Sequence, residues 1–232
     1  MRNIKTFVTS LKFQLICGTI LLLLALNCAE GVIGYFQFTH SFVEEYNASA
    51  FRTAETAAAI VNADHIQDYL ATGGDSEEYR NSLAHMNTLC QKQGVTLIYV
   101  IAVDTSDYGR FQSVFNTVNE SSGYTPWEVG YQRDTTNEKY REIYRQMYED
   151  GLQRETVTRI SGLKGREPHT TALIPLTGSD GAVKAILCVE RPMEILNESR
   201  WAYLKKTSTV TVLMLLIAAL GGASYLNRQI VK

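Results

Sequence analysis

The chain has 232 residues, 45% of them hydrophobic and 20% charged, with a formal net charge of −2. Of its 22 basic and 24 acidic residues, 17 and 23 lie between positions 37 and 206, a slightly acidic middle that excludes a clustered basic surface for nucleic acid. Four scattered histidines, with no His-Glu metal motif, no nucleophile elbow and no phosphate loop, give no support to catalysis, to a metal or to a cofactor.

Residues 1–12 hold Arg2, Lys5 and Lys12 and no acid, and read as a cytoplasmic N-terminus. An apolar run over 13–36 follows, interrupted only by Glu30, and is long enough at about 1.5 Å per residue to cross a hydrocarbon layer of roughly 30 Å. A cleaved signal peptide ending near Cys28-Ala29 is the rival reading; the length of the run and its continuation through Gly31-Val32-Ile33 favour an uncleaved anchor. Glu30 sits toward the outer end, interfacial or within a helix pair. From Gln37 to about Asp64, Phe38, Phe42, Tyr46, Ala50, Ala54, Ala57 and Val61 recur at helical spacing, so a stalk helix continues the span.

His65 to Leu70 is a short element before the Gly73-Gly74-Asp75 turn, and Ser76 to Gln93 reads as a helix stopped by Gly94. Thr96 to Asp104 and Arg110 to Val118 are strands at hairpin distance. Asn119 to Asp134 is irregular. Thr135-Thr136-Asn137-Glu138 has capping-box spacing and opens a helix to Asp150. Strands at Glu155–Ile160, Thr170–Leu176 and Ala182–Glu190 follow, the last two joined by Gly178-Ser179-Asp180-Gly181. A helix from Pro192 to Lys206 leads to a second uncharged apolar run, 207–227, and then to Arg228 and Lys232. Both basic ends read as cytoplasmic, although Arg200, Lys205 and Lys206 just outside the second run pull the other way. The expected class is α+β: about five antiparallel strands, covered on one face, behind a long N-terminal helix. Cys90 and Cys188 could form a disulfide or remain buried thiols.

This order, placed between two spans, resembles the single-module, PAS-like Cache family of extracytoplasmic sensors. The stretches that carry the resemblance are His65-Ile66-Gln67-Asp68-Tyr69-Leu70 before a Gly-rich turn, the Leu97 to Asp104 strand, and the Gly178 to Val189 hairpin with its exit helix. The end of the chain, Asn227 to Lys232, resembles the start of a HAMP relay, so a truncated two-span bacterial receptor is expected. The resemblance implies a sensor domain over 37–206 outside the cell membrane. It also implies a small-molecule ligand held on one sheet face under the inserted helix, a homodimer, and a cytoplasmic output module in cis. A non-signalling membrane scaffold that holds a protein partner is the alternative.

The residues suited to recognition are aromatic and cationic. Tyr124, Trp127, Tyr131 and Arg133 lie in the irregular stretch; Tyr140, Arg141 and Tyr144 open the inserted helix. Ring faces and a planar guanidinium suit an amino acid, a carboxylate or an amine. The Tyr140/Tyr144/Tyr148 stripe could equally just pack the helix on the sheet. Tyr99 shares a strand face with Leu97, Ile101 and Val103 and could line a cavity or fill the core. His169 and Thr171 stand at the start of the fourth strand, where a ligand could reach them or where His169 could be an ordinary surface residue.

Overall fold

The computed structural model describes residues 11–159 and 168–230. Residues 1–10 of the expected cytoplasmic segment, Ile160 at the end of an expected strand and the last two residues of the expected relay segment lie outside the described residues. The chain divides into two compact units, Glu44–Ile195 and the flanking segments up to Val43 and from Leu196.

The Glu44–Ile195 unit is built on a six-stranded antiparallel sheet. Its strands are β1 (Leu97–Val103), β2 (Arg110–Val118), β3 (Gln132–Asp134), β4 (Glu155–Arg159), β5 (His169–Thr177) and β6 (Val183–Pro192), in the order β3-β2-β1-β6-β5-β4. The first and last hairpins therefore meet at the centre, with Leu97 opposite Glu190 and Tyr99 opposite Cys188. Five strands were expected. The sixth, β3, has three residues paired to the start of β2, too few to leave a period-2 signal in the sequence.

Both faces of the sheet are covered, where one was expected. One face carries Ile98, Val100, Leu187 and Val189. It packs under the end of α1 (Leu11–Ala58), the short α2 (Ile66–Ala71) and α3 (Glu77–Gln93). Ala50, Ala54 and Ala57 of α1 are fully buried, a seam of small side chains that lets the helix backbone come close to its neighbours. The helix stops at Ala58, six residues before the expected end, and Asn62 caps a 3-10 turn at Ala63–His65 by accepting from the Asp64 N–H. In α3, Ser76 accepts from the Tyr79 N–H and Gly94 closes the helix at φ +59°. Tyr79 stacks on Phe115 at 4.4 Å and donates to the Val114 carbonyl at 2.9 Å; burial pushes its phenol up to about 12. Gly74, at φ +77°, lies against that ring: a Cβ there would sit 2.7 Å from it.

Near the ends of β5 and β6, α1 is tied to the sheet by polar contacts. The Tyr46 hydroxyl donates to the Pro192 carbonyl, and the Arg191 guanidinium lies 4.8 Å from the Tyr46 ring centre and donates to Ser49 at 2.5 Å. Thr170 donates to Asn47 at 3.2 Å. The other sheet face carries Leu97, Tyr99, Ile101, Leu173, Ile186 and Cys188 beneath α4 (Glu138–Glu149). Cys90 and Cys188 belong to the cores on opposite faces, and both are free thiols, so no disulfide joins them.

The second unit consists of the first part of α1 and α5 (Glu194–Ile230) from Leu196 onward. Both helices are long and apolar enough to cross a membrane, over Cys17–Ala58 and Glu194–Tyr225. Phe38 stacks on Tyr203 at 4.9 Å, and a side chain at Gly34 would collide with the Tyr203 hydroxyl. Glu30 and Lys206 line one cavity of about 320 Å³ within this helix pair, together with Asn27 and Tyr203.

Candidate ligand-binding site

Helix α4 is amphipathic: Tyr140, Ile143, Tyr144 and Met147, at i, i+3, i+4 and i+7, are its buried residues. It begins later than the capping-box spacing implied. Thr135 is held by its N–H on the Gly109 carbonyl, and Asn137 is the cap that accepts from the Lys139 N–H at 3.0 Å. The inserted region thus approaches the sheet as an extended piece, Arg133 to Asn137, before it turns into helix. Between that piece, the first turn of α4 and the sheet lies a cavity of about 150 Å³.

Five aromatic side chains contribute to its walls. Tyr99 comes from β1, Phe111 from β2, Tyr140 and Tyr144 from α4, and Trp127 from the loop. Trp127 meets Tyr99 edge-on at 5.7 Å and Phe111 at 5.8 Å, and Arg133 covers the Trp127 ring at 5.2 Å. Arg159, on β4, lies 5.5 Å from the centre of the Tyr140 ring. Two guanidiniums and the N-terminus of a twelve-residue helix therefore border the same small space. Facing them is Glu190 of β6, whose side chain is only 4% exposed.

The phenols here are neutral. Burial drives Tyr99 and Tyr144 well above the ordinary value of 10, and burial raises Tyr140 to about 12 against the lowering effect of its bond to Thr171. Nearby Cys188 is pushed up by the same burial. These groups donate and accept hydrogen bonds; they are not poised to exchange protons near neutral pH. Tyr140 already donates to Thr171 at 3.1 Å. Thr135 differs. Its hydroxyl is buried in the cavity wall and has no hydrogen-bond partner among the described residues. A buried hydroxyl without a partner costs about 1–3 kcal/mol, a cost that a polar ligand atom would remove.

Of the ten residues singled out in the sequence, the structure brings Tyr99, Trp127, Arg133, Tyr140 and Tyr144 into this cavity wall. Thr171 stands behind it as the partner of Tyr140. Tyr131 stacks on Trp127 at 6.0 Å and is half exposed, outside the lining. Arg141 turns away and donates to the Thr135 carbonyl at 2.6 Å, bracing the loop. Tyr124 and His169 border a different cavity, of about 400 Å³, which shares Glu190 with the first. His169 is buried rather than on the surface, with its Nε2 3.8 Å from a Glu190 oxygen.

Glu190, Arg159 and Thr135 were not singled out in the sequence. Strand alternation from Cys188 would have placed Glu190 on the α4 face. Arg159 and Thr135 carried no such signal, because only the pairing of β4 with β5 and of Thr135 with Gly109 brings them in. Among the described residues no group of three His, Cys, Asp or Glu side chains could hold a metal ion.

No family model matches the chain, and no curated protein matches it. Solved structures do resemble it. The ligand-binding domain of the Campylobacter jejuni chemoreceptor Tlp3, in complex with L-norvaline, is 14% identical, with 84% of this chain and 65% of that one covered and a TM-score of 0.44. The sensor domain of the V. cholerae histidine kinase DctB is 10% identical over 70% and 60%, at 0.40. A transcriptional regulator from Alicyclobacillus acidocaldarius is 11% identical over 65% and 71%, at 0.36. At these TM-scores the likeness assigns this chain neither a family nor a ligand.

Proposed function

We propose that the chain is a membrane-anchored receptor that senses a small extracytoplasmic ligand in the cavity under α4. In this reading it is a Cache-like sensor that relays occupancy through its second apolar helix to a cytoplasmic output module in cis. The observation that carries the proposal is the unpartnered Thr135 hydroxyl in a cavity with aromatic walls that is bordered by Arg133, Arg159 and Glu190. Two cations and a helix N-terminus suit a carboxylate; the buried carboxylate opposite suits an amine; the rings suit either through their faces. A small amino acid satisfies all three, and plain carboxylates or amines satisfy part of the set. The inner membrane of a bacterium, with both ends of the chain cytoplasmic, is the location that fits this reading.

A homodimer is part of the proposal. Ala218 and Gly222 have small-xxx-small spacing, and a Cβ added at Gly222 would meet nothing within 4 Å, so that face of α5 is open to a second helix. The test is a thermal-shift screen of the full chain in detergent against amino acids, small carboxylates and small amines. A ligand of this class should raise the melting temperature of the wild type, and Arg133→Ala should abolish the rise. Stabilisation by none of them would overturn the sensor reading and favour a domain that holds a protein partner.

A further inference from the structure

Glu190 borders two cavities. Besides the space under α4 it lines the cavity of about 400 Å³ where the start of β5 and the end of β6 meet the turn into β1. The Glu190 side chain is 4% exposed, yet among the described residues its carboxylate accepts no hydrogen bond; the Nε2 of His169, 3.8 Å away, is beyond hydrogen-bonding reach. A carboxylate buried without donors is costly to ionise, and a cation that brings N–H groups removes that cost.

The rest of this wall offers acceptors. Ser121 donates its hydroxyl proton to the Asn119 side-chain oxygen and Ser122 donates to the Asn119 carbonyl, both at 2.7 Å. Asn119 in turn donates its amide to the Cys90 carbonyl at 3.3 Å. What this turn leaves for the cavity is mainly oxygen lone pairs. Pro168 and Pro192 have no N–H to add. A second carboxylate, that of the exposed Glu194, borders the same space, and among the described residues no Lys or Arg does.

We infer that this cavity is a second binding site, for a small organic ammonium, and that it suits a diamine with one nitrogen toward Glu190 and the other toward Glu194. Its volume of about 400 Å³ is that of a small-molecule pocket. A bare metal ion is the poorer occupant, because among the described residues no three His, Cys, Asp or Glu side chains are placed to hold one. Pro192 ends β6 and Glu194 begins α5, so the occupant bears on the joint between the sheet and the exit helix. Among the described residues the two cavities share only Glu190, so the second needs no ligand in the first.

The experiment is isothermal titration calorimetry of the full chain in detergent with putrescine, and with the diol of the same chain length as an uncharged match. Putrescine should bind and the diol should not. Glu190→Gln and Glu194→Gln should each weaken putrescine several-fold, and Ser122→Phe, which fills the second cavity alone, should abolish binding. Melting curves check that each variant is folded; if Ser122→Phe is not, Glu194→Gln, at an exposed position, decides. No binding of putrescine to the wild type, equal binding of the diol, or undiminished binding in the folded cavity variants would overturn the second site. Stabilisation by an amine that survives Glu194→Gln and Ser122→Phe belongs to the first cavity, so the sensor reading stands or falls separately.

Discussion

Thr135 separates binding from folding. Its hydroxyl gains nothing from the empty protein, so Thr135→Val, which keeps the shape and removes the unpartnered group, should raise the stability of the ligand-free chain by about 1 kcal/mol. The same variant should lose most of the thermal shift given by any ligand that stabilises the wild type; a melting curve with and without ligand reads both effects. His65 and Glu78 make a second residue-scale case. They pair at 2.8 Å on the surface, where hydrogen bonding to Glu78 raises the imidazole and hydrogen bonding to His65 lowers the carboxyl. A raised histidine contributes stability that is full below its unfolded value and is lost as pH rises through the folded one. A lowered carboxylate contributes stability that is full above its unfolded value and is lost as pH falls through the folded one. The pair therefore helps most between the ordinary values of 4.5 and 6.5 and fades on either side. His65→Gln should flatten that part of the stability profile, as measured by urea melts across pH.

At the scale of elements, periodicity showed what was long and regular. The α3 helix begins behind Ser76 and stops at Gly94 as its caps imply, and β1 alternates as Leu97, Tyr99 and Ile101 against Ile98 and Val100. What escaped was set by pairing across the chain. Three-residue β3 exists only because Arg110 to Gln112 offers it a ladder, and Thr135 stays extended because Gly109 accepts its N–H, which moves the start of α4 to Asn137. The aromatic half of the site was legible because Tyr and Trp are conspicuous. Of the charged groups only Arg133 was legible, because Arg159 and Glu190 enter through strand register. Asn137→Ala should cost about 1 kcal/mol and loosen the first turn of α4, seen as faster amide exchange over the first residues of that helix. Gly74→Ala should cost more, about 1–3 kcal/mol, since the left-handed backbone and the Tyr79 ring both oppose a side chain.

For the whole molecule, the two hydrophobic cores of the Glu44–Ile195 unit are made entirely from its own residues. A fragment of those residues should unfold in one cooperative transition and keep the high-pH tyrosine titration of the full chain. Tyr99 and Tyr144 stay neutral in the fold at pH values where an unfolded phenol ionises, so the fragment loses stability as pH rises past about 10. Absorbance at the phenolate band should lag behind that of the denatured chain until the fold gives way. A fragment that titrates like its denatured form would show that the packing of α4 depends on the rest of the chain.

The last residues of β6 serve two sides at once. Glu190 borders the cavity, while Arg191 and Pro192, the next two along the strand, hold Ser49 and Tyr46 of α1. A paired strand has almost no slack along its length, so a push on one of these neighbours is a push on the other. The quantity that governs such a joint is stiffness. Softening the grip with Tyr46→Phe should leave the cavity's chemistry intact while letting α1 keep its own position when Glu190 moves.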